Sequence, residues 1–146
     1  MQPEARAWFV DRCLGKRTLA ALRSLGATAE WLGDHFSDDA LDEEWIPSVA
    51  ARGWAILTKD KNIRRDSNQR DIVKTSGAFY VCLGAGSATA DEQIARITDS
   101  WRTIVGIVGV ASPPLILTIT KNDVARYDFE TCEFKRVKRK PTRAGR

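Results

Sequence analysis

Short apolar runs give way again and again to stretches with helical spacing, and this alternation restricts the fold more than any other feature of the chain. Ala7-Trp8-Phe9-Val10 reads as a buried strand closed by Asp11. A helix over 14–25 follows, with Leu14, Ala21, Leu22 and Leu25 on one face and Gly26 as its stop. A strand over 28–32 leads through an acidic loop (33–40) to a helix from about Asp42, which turns Trp45, Ile46 and Val49 inward and stops at Gly53. Pro47 fixes that start, because proline is tolerated only near the first turn. A strand over 54–58, a polar helix or loop over 66–74 and a strand over 78–83 come next. After a loop at 84–88, Thr89-Ala90-Asp91-Glu92 has the capping-box pattern. It opens a helix whose stripe is Ile94, Ile97, Trp101, Ile104, Val105 and Val108. Pro113-Pro114 ends the helix, and a fifth strand spans 115–120. The pattern specifies an α/β fold with a mostly parallel sheet and helices on both faces.

The 146 residues suit one domain, and 43% hydrophobic residues suffice for a full core. We expect the domain to span 1–121, with 122–146 as an extension that adds a short strand (124–129) and ends in a basic, flexible tail. No apolar run approaches the roughly 18 residues of a membrane span. The N-terminus lacks the apolar core of a secretory signal. Cys13, Cys82 and Cys132 are too few and too scattered for a disulfide framework or zinc ribbon. They are expected to act as small hydrophobes in a reducing cytoplasm. A single histidine, His35, excludes a multi-histidine metal site, so any metal would be held mainly by carboxylates.

Charge is unevenly distributed. Residues 135–146 carry seven bases and no acid, leaving the rest of the chain with sixteen bases against nineteen acids. Seven acids and no base lie between Ser24 and Ala51, and a basic segment follows from Arg52 to Arg70. Three acids fall where an open α/β sheet binds ligands, outside the carboxyl ends of its strands. Asp11 closes the first strand, Asp60 follows the strand ending at Thr58, and Asp42 opens a helix on the face of Trp45, Ile46 and Val49. Carboxylates converging there repel one another unless a cation neutralises them, and Mg²⁺ or Mn²⁺ suits oxygen ligands. Such a site fits phosphoryl transfer to water. The bases Arg12, Lys16, Lys59, Lys61 and Arg64 are expected to contact substrate phosphates.

Phe9-Val10-Asp11-Arg12-Cys13-Leu14-Gly15-Lys16, Asp42-Glu43-Glu44-Trp45 and Leu57-Thr58-Lys59-Asp60-Lys61 together resemble the PIN-like nucleases, above all their VapC-type toxin relatives. The resemblance implies a compact three-layer α/β/α sandwich and a metal-dependent ribonuclease acting on RNA, often neutralised by a cognate antitoxin. By position it implies Asp11, Asp42 and Asp60 as the catalytic, metal-binding acids. Many relatives carry a further acid two residues after the third, where this chain has Asn62. Asn62, Glu43 and Asp66 are therefore the candidates for a fourth ligand. A homo-oligomer is compatible with the sequence without being specified by it.

Two other readings compete. In a receiver-type switch Asp60 would accept a phosphoryl group, but the paired acids expected after the first strand are missing, since Val10 and Arg12 flank Asp11. In a binding module a nuclease-like shell without catalysis would hold RNA through the basic tail, and Asn62 keeps that reading open.

Overall fold

The computed structural model describes residues 7–59, 63–84 and 88–138. Among them, seven strands form one sheet, flanked by four α-helices. The strands are β1 (Trp8–Val10), β2 (Ala29–Trp31), β3 (Ala55–Thr58), β4 (Phe79–Leu83), β5 (Leu115–Ile119), β6 (Val124–Asp128) and β7 (Glu133–Val137). The helices are α1 (Lys16–Ser24), α2 (Asp42–Ala51), α3 (Ser67–Ser76) and α4 (Ala90–Val110). The spatial order is β2-β1-β3-β4-β5-β6-β7, parallel through β5 and antiparallel for β6 and β7.

The sheet separates two cores. On one face Leu19 and Leu22 of α1 and Ile97, Trp101, Ile104 and Val108 of α4 pack on Trp8, Val10, Leu57 and Val81. On the other, Trp45, Ile46 and Val49 of α2 and Val73 of α3 pack on Phe9, Ile56, Tyr80 and Ile116. This is the α/β/α sandwich, and β3, β4 and β5 are buried throughout, as strands covered on both faces must be. The connection through α4 crosses on the face of α1, whereas α2 and α3 cross on the opposite face. Its hand is therefore opposite to that of the three crossovers before it.

Helix ends follow local chemistry. Thr89 Oγ1 accepts the Glu92 N–H at 3.2 Å, and Glu92 Oε1 accepts the Thr89 N–H at 2.9 Å, completing the expected capping box. Asp66 caps α3 by accepting the N–H groups of Asn68 and Gln69, and Gly77 ends it with φ of 68°.

Several expectations need correction. In α1 the buried positions are Thr18, Leu19 and Leu22, while Leu25 is exposed, because the helix starts only at Lys16 after a short 3-10 turn over Arg12–Leu14. Val105 of α4 is exposed, and Ser100 and Thr103 take the inward places. Pro47 lies in the second turn of α2, where the helix forgoes one backbone hydrogen bond. Lys135 and Arg136, assigned from sequence to the flexible tail, belong to β7 and form ion pairs with Asp128 and Asp123. The hairpin β6–β7 thus continues the sheet beyond 121. The remainder of the tail, from Arg139 on, lies outside the described residues.

Candidate active site

The strand order reverses between β1 and β3, and the carboxyl ends of these neighbours are where a doubly wound sheet opens a crevice. Their register pairs Val10 with Leu57, so the next residues, Asp11 and Thr58, stand side by side. The Asp11 N–H donates to the Leu57 carbonyl at 2.9 Å, and Thr58 Oγ1 donates to Asp11 Oδ2 at 2.7 Å. Asp11 precedes the 3-10 turn, but its side chain makes no capping hydrogen bond. Its carboxylate is held toward β3 instead.

Asp42 is the first residue of α2, and Leu41 is the residue before the helix. The Leu41 N–H is taken by Glu44 Oε1 at 3.1 Å, which leaves Asp42 free of capping. Asp42 Oδ1 accepts the indole N–H of Trp45 at 3.0 Å. Trp45 is a core side chain that nevertheless presents its one polar group to this carboxylate.

Asp11 and Asp42 line one cleft of about 210 Å³, together with Cys13, Trp45, Thr58, Lys59, Gln69 and Tyr80. At its base Gln69 Nε2 donates to the buried Tyr80 hydroxyl at 3.3 Å. Cys13 faces the same cleft: its Sγ accepts the Lys59 N–H at 3.3 Å and lies 3.6 Å from Thr58 Oγ1. Burial pushes the Cys13 thiol above its ordinary pKa, and the neighbouring Asp11 carboxylate pushes it further. The thiol therefore stays neutral at pH 7 and adds no third negative charge.

A model of the PIN-like domain matches residues 7–85, more than half of the chain, and contains both acids of the cleft. The chain belongs to the PIN-like domain family. It is also 29% identical over 123 residues to a Mycobacterium tuberculosis (strain ATCC 25618 / H37Rv) protein named "Putative ribonuclease VapC45", covering 81% of this chain and 88% of that one. It is thus a VapC-type relative. No solved structure matches it. Family membership separates it from receiver-type switches, whose doubly wound order is otherwise compatible with this sheet.

Within this PIN-like domain the expected site residues part company. Asp11, Asp42 and Lys59 meet at the cleft. Asp60, Lys61 and Asn62 lie outside the described residues, immediately after Lys59. Glu43 points to a separate groove between α2 and α3 lined by Pro47, Asn68, Asp71 and Ile72. Asp66 is engaged as the cap of α3 and is not among the residues lining the cleft. Arg12 donates to the Phe36 and Ser37 carbonyls at 3.0 and 3.3 Å and pairs with Asp38, so it anchors the acidic loop instead of facing the cleft. Arg64 lies on the same face of the sheet as the cleft but two strands away, donating to Thr118 Oγ1 of β5 at 2.8 Å and lying over the Phe134 ring. Lys16 is exposed at the start of α1.

Thr58, Trp45, Gln69, Tyr80 and Cys13 are the lining residues that sequence reasoning did not assign to the site. Thr58 stands directly before the Lys59-Asp60-Lys61 motif, and Cys13 lies two residues after Asp11, so proximity to the motifs was the available signal. Trp45 was read as core by its helical spacing, which is correct for its ring and silent about its N–H.

Among the described residues no three His, Cys, Asp or Glu side chains are grouped closely enough to hold a metal ion. Two carboxylates at one cleft, each engaged by a neutral hydrogen-bond donor, fit a hard divalent cation as a partial ligand set. Among the described residues no helix is long and apolar enough to cross a membrane.

Proposed function

We propose that this chain is a Mg²⁺- or Mn²⁺-dependent endoribonuclease, the toxin of a toxin–antitoxin pair, acting on RNA in the cytoplasm and held in check by a cognate antitoxin protein. The observation that carries this reading is the pairing of Asp11 and Asp42 at one cleft, at the point where the strand order reverses. Asp60 is assigned as the third acid of the set, since it follows β3 by two residues. When bound, a divalent cation supplies charge neutralisation and an acidified water for attack on the phosphodiester.

The chain's own residues do the positioning. Thr58 holds the Asp11 carboxylate by one oxygen. Trp45 does the same for Asp42. Both donors come from buried side chains, so the acids are fixed before substrate arrives. The half-buried Lys59 brings a positive charge to the cleft, where it can meet a substrate phosphate.

Cleavage of single-stranded RNA in Mn²⁺ and in EDTA tests the reading. RNA should be cut only with the cation, and Asp11→Asn or Asp60→Asn should abolish cutting while the circular dichroism spectrum is kept. Undiminished cleavage in EDTA by both variants would refute it.

A further inference from the structure

The cleft explains the β1–β3 end of the sheet and leaves the β6–β7 end without a role. On the α2–α3 side the hairpin contributes aromatic side chains to the core. Tyr127 stands against Phe129 and Phe134, with ring centroids 5.0 and 4.8 Å away. Over these rings lie two guanidinium groups, Arg70 at 5.2 Å from Tyr127 and Arg64 at 4.7 Å from Phe134. One N–H of each is already used, Arg64 donating to Thr118 Oγ1 and Arg70 to the Ile63 carbonyl, both at 2.8 Å, which fixes the guanidinium over its ring. Arg64 is exposed and Arg70 half-buried, and a base can stack on a guanidinium so held.

The register connects this surface to the cleft. Thr58 pairs with Cys82, Cys82 with Thr118, Thr118 with Ala125, and Ala125 with Arg136. One row of the sheet therefore runs from the hydroxyl that holds Asp11, beneath Arg64 at Thr118, to Arg136. Four strand spacings make this roughly 19 Å. Strand β7 is antiparallel to β6, which is antiparallel to β5, so it runs in the direction of β1 and β3. It ends on the sheet edge that carries the cleft. Alternation along β7 puts Arg136 on the side of Phe134, and Lys138 follows at the same edge.

We propose that the arginine–aromatic face of the β6–β7 hairpin, with Arg64, Arg70, Arg136 and Lys138, is a second contact surface for single-stranded RNA whose reacting phosphate lies at the cleft. The inference rests on the ribonuclease reading and extends it by naming where the substrate runs. Stacking on rings and guanidinium planes with basic groups beside them is sequence-tolerant recognition of a single strand. A protein partner of acidic character would also meet the charge, but it would not require the basic row to be level with the cleft.

Fluorescence anisotropy of the full chain with a labelled single-stranded RNA of about a dozen nucleotides, in EDTA over a range of salt, tests this without any cleavage. Arg136→Ala/Lys138→Ala should weaken binding roughly tenfold and flatten the salt dependence. Lys74→Ala/Arg102→Ala removes the same charge from the outer faces of α3 and α4 and should leave affinity nearly as it was. Equal affinity for parent and hairpin variant, or equal weakening by both pairs, would overturn the proposal, as would loss of binding to an acidic peptide with RNA binding intact. Failure of the ribonuclease reading would appear separately, as uncut RNA in Mn²⁺ with the parent chain.

Discussion

The two ends of the sheet's carboxyl edge are built on opposite plans. At the β1–β3 end, carboxylates come forward and neutral donors from the core hold them: a threonine hydroxyl on Asp11 and an indole N–H on Asp42. At the β6–β7 end, arginines come forward and aromatic rings hold them. The first arrangement concentrates negative charge, as the proposed divalent cation requires, and the second spreads positive charge along the proposed path of the RNA. One molecule therefore needs both charge signs on one edge, and the packing keeps them about four strands apart.

Substitutions should separate the two ends by what they damage. The largest effect belongs to the cleft: Asp42→Asn should lower RNA cleavage by roughly two to three orders of magnitude, with affinity for uncut RNA in EDTA little changed. A loss of affinity matching the loss of turnover would erase the distinction between the ends. Thr58→Val keeps the shape and removes the hydroxyl on Asp11. It should reduce activity by about 10- to 100-fold, as expected when a group that orients a metal ligand is lost. Trp45→Phe, judged in the same turnover assay, should cost less than that. A thermal melt should show a change of about 1 kcal/mol, the net worth of one hydrogen bond.

The smallest effect belongs to the hairpin and to acid. Asp128 is held down to about 2, from an ordinary 3.8, first by the hydrogen bond from Lys135 and then by the N–H groups of Glu130 and Thr131. Its folded pKa is depressed, so its stabilisation is complete above the unfolded value. That contribution fades as pH falls from about 4 to about 2. An NMR titration of the Asp128 carboxyl should show that low midpoint, and Lys135→Met should raise it toward 3.8. A midpoint indifferent to Lys135 would mean that the turn N–H groups alone hold the charge.

Sequence pattern revealed most of the fold and half of the site. Strands β1, β3, β4 and β5 announced themselves because they are buried on both faces, and Thr89 and Glu92 marked the start of α4 by residue type alone. Asp11 and Asp42 were legible because strand ends and helix starts on one edge converge by topology. What pattern could not supply was direction. Glu43 is one helical step, about 100°, from Asp42, and that rotation turns it to another groove. Arg12 and Arg64 are basic residues beside acidic motifs, yet one is used to tie a loop and the other to cover a ring. The strand β7 was obscured by its own charge, since an edge strand keeps basic residues that resemble a tail. The type of Cys13 suggests a small buried hydrophobe, while its partners, Thr58 and Lys59, are more than forty positions away in the chain.

Negative charge from separate segments is proposed to gather around one divalent cation. Titration of the metal-free chain with Mn²⁺, read by calorimetry or by the electron paramagnetic resonance of the free ion, tests it most directly. A single site is expected in the parent chain, lost in both Asp11→Asn and Asp42→Asn; Mn²⁺ bound equally well by parent and variants would overturn the cation site.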